Sequence, residues 1–142
     1  MRWLTPLLAR WRALLAPKTL GRRGEDLAAH YLRRLGYTIV ARGHKGAIGE
    51  IDLVAVDQRT VVFVEVKTRT SHDAGHPADA VDEAKQRRLT RLALSYLKRH
   101  DLLEHAARFD VVAVTWPAGR GRPTIEHFIN AFEPVGFPGM FS

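Results

Sequence analysis

Four ionisable residues, Glu50, Asp52, Glu65 and Lys67, interrupt the stretch GEIDLVAVDQRTVVFVEVKTR, Gly49 to Arg69, which otherwise reads as buried β-strand. If Asp57–Thr60 closes a hairpin, facing positions sum to 117, so Asp52 stands opposite Glu65 and Glu50 opposite Lys67. Side chains alternate across a strand; the four charges then share one face, and Ile51, Leu53, Val64 and Val66 the other. Opposed carboxylates, with Cβ atoms about 5 Å apart, repel unless a proton or a cation lies between them. Mg²⁺ or Mn²⁺ suits such a place, because hard ions take oxygen ligands and keep several waters; Asp52, Glu65 and the carbonyl of Val66 would hold one. Lys67 beside it would position or help deprotonate a water and offset charge at an attacked phosphorus. A plainer reading is that Glu50 with Lys67, and Asp52 with an arginine, are ordinary cross-strand ion pairs on a half-exposed sheet.

The elements that would position these groups follow from periodicity. Residues 22–35 carry Leu27, Ala28, Tyr31, Leu32 and Leu35 at helical spacing, with Gly36 as the stop. Glu25 precedes Ala28, Ala29 and Leu32 by three, four and seven positions, which puts a carboxylate on the core-facing stripe; a first-turn acid that complements the helix dipole is the plainer account. Tyr37 to Ala41 reads as a short strand and Arg42 to Gly49 as a mobile basic loop. After the hairpin, SHDAGHPADA reads as a loop, Val81 to about His100 as a helix, RFDVVAVTW as a buried strand and TIEHFINAF as an edge strand. His72 and His76 are four apart, but Gly75 and Pro77 forbid the helix that would make them joint ligands.

Composition bounds the function classes. A chain of 142 residues, 46% apolar and 26% charged, is one foldable domain with a single sizeable core. A formal charge of +7 suits a polyanionic partner, nucleic acid before an anionic membrane. The absence of cysteine removes disulfides, thiolate zinc sites and cysteine nucleophiles, and fits a reducing cytoplasm. Residues 1–20 form a basic amphipathic extension, with Trp3, Leu4, Leu7, Leu8, Trp11, Leu14 and Leu15 at helical spacing and Pro17 as the stop. Arg10 and Arg12 break its apolar run, so neither a signal peptide nor a membrane span is expected, and a start-site extension or a helix packed on its own domain is favoured over a membrane-surface or partner-docking helix.

Five motifs in order, GRRGEDLAAHYLRRLGY, GEIDLVAVD, VFVEVKTR, GHPADAVDEAKQRRL and RFDVVAV, resemble the YraN-type predicted endonucleases. That bacterial group has a restriction-endonuclease-like fold and distant similarity to archaeal Holliday junction resolvases. The resemblance spans Gly21 to Phe132 and implies an α/β domain over residues 21–132, with a mixed central sheet flanked by helices in an αβββαβ core and a tail at residues 133–142. It carries the nuclease motif onto Asp52, Glu65 and Lys67, with Glu25 as a helix-borne acid and Glu50 as an accessory ligand or partner of Lys67. Lys85 matches a lysine of the group, for holding a phosphate or as a helix lysine snorkelling to solvent. Gly43 stands where the group often has asparagine.

Arg42, His44, Lys45, Arg69, Lys85 and Arg88 would line a phosphate-binding groove with little sequence reading, or form a solvated basic face. The expectation is a cytoplasmic bacterial DNA endonuclease that uses Mg²⁺ or Mn²⁺, needs no small-molecule cofactor and selects branched or single-stranded DNA, as a homodimer by analogy with resolvases. The alternative is a nucleic-acid-binding module that keeps the fold without cutting.

Overall fold

The computed structural model describes residues 19–71 and 81–136. The amphipathic extension before Thr19, the loop holding His72 and His76, and the last residues of the tail lie outside the described residues. Helix α1, Leu20–Arg34, starts where the hydroxyl of Thr19 accepts the Arg22 N–H at 3.2 Å, and buries Gly24, Ala28, Ala29 and Leu32. Strands β1, Thr38–Gly46, β2, Gly49–Asp57, and β3, Thr60–Thr70, follow as an antiparallel meander. Helix α2, Glu83–Arg99, is capped by Asp82, whose carboxylate accepts the Lys85 N–H at 2.8 Å. It supplies the crossover that parallel strands require, so that β4, Ala107–Trp116, pairs parallel with β3. β5, Thr124–Phe132, returns antiparallel on β4 and closes a five-stranded sheet in the order β1-β2-β3-β4-β5.

The sheet is covered on both faces. Ala28, Ala29 and Leu32 of α1 pack with Leu53, Val62, Val64 and Val112 on one side. Leu89, Leu92, Ala93, Tyr96 and Leu97 of α2 pack with Val54, Phe63, Phe109 and Val111 on the other. Central strands buried on both faces explain why β3 and β4 read as nearly unbroken apolar runs. This is the expected α/β, restriction-endonuclease-like arrangement of a mixed sheet between helices, with β5 at the expected edge.

Two expectations are corrected. Arg42 to Gly46 is not a loop: β1 continues to Gly46 and turns through Ala47 and Ile48 directly into β2, with Gly46 facing Gly49. A Cβ on Gly46 would lie 2.5 Å from Leu92 Cδ2, so a larger residue there would require the Leu92 side chain to move where β1 passes close to α2. The hairpin register sums to 117 as expected, from Asp57↔Thr60 to Leu53↔Val64, but the ladder ends there and reaches neither Asp52–Glu65 nor Glu50–Lys67. Beyond that point the beginning of β2 stays on β1, where Lys45 faces Glu50, while β3 continues on β4, where Lys67 faces Ala113.

Candidate metal centre

The strands part at Asp52, and the chain there departs from simple alternation. Leu53 and Ala55 face α1 and Val54 faces α2, yet Ile51 also packs on the α2 side instead of sharing a face with Leu53. Opposite this irregularity Gly43 has φ +58°, a left-handed conformation open to glycine, and it drops out of the β1–β2 pairing between Arg42↔Leu53 and His44↔Ile51. The flip sends Glu50 to the α1 side, away from the face it was expected to share with Lys67. Its carboxylate lies next to Gly43, where a Cβ would sit 3.1 Å from Oε1.

Helix α1 supplies the third acid. Gly24 is buried against β3, and a Cβ there would lie only 2.0 Å from Thr68 Oγ1, so the absence of a side chain lets the first turn of α1 rest on the strand. The adjacent Glu25 is thereby brought to the end of β2. Carboxylate oxygens of Glu25, Glu50 and Asp52 all lie within 4.8 Å of one another, with Glu50 exposed and the other two half-buried. Asp26, next in the helix, pairs with Arg42 of β1 and ties the two elements together beside the acids.

Asp52 is fixed by the main chain. Its Oδ2 accepts the Val66 N–H at 2.8 Å, so the side chain takes up a donor of β3 where the backbone ladder has stopped. The Val66 group seen to engage Asp52 is thus the amide N–H, whereas its carbonyl was the expected ligand. Burial, then the Glu65 carboxylate, push the Asp52 carboxyl up to about 7 against the pull of the Val66 N–H, and Glu25 adds to the rise. Burial, then Glu50, likewise raise Glu25 above its ordinary value.

Glu65, almost fully buried, accepts from the ammonium of Lys85 on α2. Lys85, partly exposed, is thus the partner of a nearly buried acid in this structure. Lys67, half-buried, follows two residues later on the same strand. Of the expected groove, Lys45 and Arg88 are exposed, Arg42 is paired with Asp26, Arg69 Nε donates to Thr115 Oγ1 at 3.2 Å, and His44 stands edge-on to Tyr96 at 5.1 Å. Sequence reasoning gave Glu50 only an accessory part, although the structure makes it one of the three converging acids. It also passed over Gly24, for which a glycine inside a helical pattern was the available signal.

Oxygen donors alone, three carboxylates on two elements and a raised pKa, match the requirements of Mg²⁺ or Mn²⁺. A cation there would relieve the repulsion that burial imposes.

Comparison with known proteins places these residues in a family. The model of the uncharacterised protein family UPF0102 matches residues 24–114, from the glycine beneath α1 to the end of the β4 core. A UPF0102 protein of Rhodopirellula baltica is 53% identical over 125 residues, covering 86% of this chain and 75% of the relative. One of Geobacter sulfurreducens is 51% identical over 116 residues, covering 82% and 90%. One of Anaeromyxobacter dehalogenans is 47% identical over 122 residues, covering 86% and 90%. The resemblance to the YraN-type group is borne out by this match.

Proposed function

The chain belongs to the UPF0102 family, and on that premise we propose that it is a divalent-metal-dependent DNA endonuclease that hydrolyses phosphodiester bonds. The observation that carries the reading is the convergence of Glu25, Glu50 and Asp52 within 4.8 Å at the point where β2 leaves β3, with Glu65 close enough to raise Asp52 further. When bound, the ion supplies Lewis acidity to a phosphate oxygen and acidifies a water. The protein's own residues do the rest. Asp52 is oriented by the Val66 N–H, Glu25 and Glu50 close the ligand set from α1 and β2, and Lys67 brings positive charge toward a phosphorane-like transition state. The surplus of 22 Lys and Arg over 15 Asp and Glu attracts the DNA backbone without reading bases, which favours selection by shape, as in branched or single-stranded DNA.

A second reading is a binding module that does not cut. What favours it is the Lys85–Glu65 contact, since a protein cation already neutralises the most buried acid of the group. Cleavage of labelled single-stranded, duplex, flap and four-way-junction DNA, with Mg²⁺ or Mn²⁺, separates the two. The nuclease reading expects divalent-dependent cutting by the wild type and its loss in Asp52→Asn and Lys67→Ala. Equal DNA binding by all three proteins with no cutting by any supports the module instead.

A further inference from the structure

Helix α2 turns a lysine toward the sheet. Lys85 lies one helical turn before Leu89 and two before Leu92, so it continues the stripe whose later members are buried against the strands. The first turn is held twice: the Asp82 carboxylate accepts the Lys85 N–H at 2.8 Å, and the Gln86 side chain donates to the Val81 carbonyl at 2.9 Å. Those bonds fix the stem of Lys85 over β3, where its ammonium meets Glu65. The pair has a closed end and an open one. The Glu65 side chain is 8% exposed, beside Ile51, Phe63, Leu89 and Phe109, whereas that of Lys85 is 28% exposed.

The acids thus divide into two sets. Glu25, Glu50 and Asp52 converge within 4.8 Å, and Glu65, which is not one of the three, is held by Lys85. The sets sense each other: burial and then Glu65 push the Asp52 carboxyl up, while Lys85 pulls it down. Given the metal-dependent reading of the site, on which this step rests, we propose that Lys85 is an internal counter-ion that holds Glu65 out of the metal's ligand set until a divalent ion displaces it. With such an ion at the three acids, the Lys85 ammonium faces like charge, and it is the mobile partner, on a flexible four-carbon stem that already reaches solvent. Glu65 stays, because its strand is paired with β4 at Val111. A buried carboxylate without a partner is costly, so the released Glu65 becomes a fourth acidic donor to the ion. Lys85 therefore weakens metal binding by the free protein.

The test titrates Mn²⁺ into the full-length protein at fixed pH and ionic strength and reads free Mn²⁺ by its electron paramagnetic resonance signal. Four proteins are compared: wild type, Lys85→Met, Glu65→Gln and the double variant. Lys85→Met should bind Mn²⁺ roughly tenfold more tightly than wild type, and the gain should vanish where Glu65 is already replaced. Affinity in Lys85→Met equal to or below that of wild type would overturn the proposal. So would the same gain in both backgrounds, which would mark a general charge effect on Asp52. If Lys85→Met is unfolded in EDTA because Glu65 has lost its partner, Mn²⁺ should refold it, read by circular dichroism, and failure to refold would sink the displacement. No Mn²⁺ binding by any of the four proteins would instead remove the metal-dependent reading itself, and the proposal with it.

Discussion

Two aspartates on the inner strands show opposite solutions to burial. Asp110 on β4 is completely buried, and burial alone would raise its pKa, but the His127 ring at 2.8 Å, Arg108 Nε at 3.0 Å and the Asn130 N–H at 3.0 Å hold it below the ordinary carboxylate value. Arg108 is shared onward with Tyr37 at 2.8 Å and Asp57 at 3.2 Å, so a single network joins β2, β4 and β5 with the residue that precedes β1. Asp52 on β2 has the Val66 N–H, while three neighbouring groups are acids. The difference teaches where to look for chemistry: a buried carboxylate surrounded by donors builds structure, and one surrounded by carboxylates is a candidate for chemistry, because a proton or a cation must offset the repulsion.

The comparison breaks most visibly at Asp110. Asp110→Ala removes the acceptor shared by Arg108 Nε, the His127 ring and the Asn130 N–H, and should cost about 3–5 kcal/mol in urea unfolding, whereas Asp52→Asn should cost nothing. A comparable loss from both would mean that the Asp52 group is structural. Next comes activity: under the proposed function, Asp52→Asn lowers metal-dependent cleavage by roughly 100-fold or more at unchanged folding, read as single-turnover rates. Gly24→Ala forces a methyl onto Thr68 and should lose about 1–3 kcal/mol while displacing Glu25, so stability and Mn²⁺ affinity fall together.

The pH dependence sharpens the contrast with smaller effects. Because the folded-state pKa of Asp52 is about 7 against an ordinary 3.8, the folded chain keeps a proton there that the unfolded chain has released, and stability from this group falls as pH rises across that window. Asp110 has the opposite sign: its contribution is present above the ordinary carboxylate range and is lost as pH falls toward its depressed pKa. Thermal unfolding of Asp52→Asn should therefore gain on the wild type between pH 4 and pH 7, by a few degrees. The smallest effect is a rise in wild-type melting temperature of about 4 °C on adding Mg²⁺ at tenfold its Kd at pH 8, absent in Asp52→Asn.

Much of this was legible in one dimension. Period-two burial and the turn at Gln58 and Arg59 set the register of β2 on β3, and the helical stripe of Ala28, Ala29 and Leu32 turned Glu25 toward the sheet. Polar alternation put β5 at an edge. What failed had a local cause. A glycine-rich stretch from Gly43 to Gly49 resembles a loop, yet its glycines serve a close approach to Leu92 and a left-handed φ within a strand. The face occupied by Glu50 could not be inferred by counting, because one irregular position at Asp52 and Gly43 reverses the alternation. The Asp110 network was hidden for another reason: its partners lie 2, 17, 20, 51 and 71 positions apart, and no short pattern joins Arg108 to Tyr37.

The sequence by itself determined the order of the elements, the hairpin register, the place of Asp52, Glu65 and Lys67 in a charged interruption of buried strands and that of Glu25 on the helix facing them, since these depend on periodicity and on turn chemistry within a few residues. Only the tertiary structure decided which acids meet. Glu50 joins Glu25 and Asp52, and Glu65 is met by Lys85, because strand β2 leaves β3 for β1 at Asp52, α1 settles on Thr68 through Gly24, and α2 lays its first turn over β3. Those are distances between elements, set by how closely backbones can approach, and spacing along the chain does not encode them.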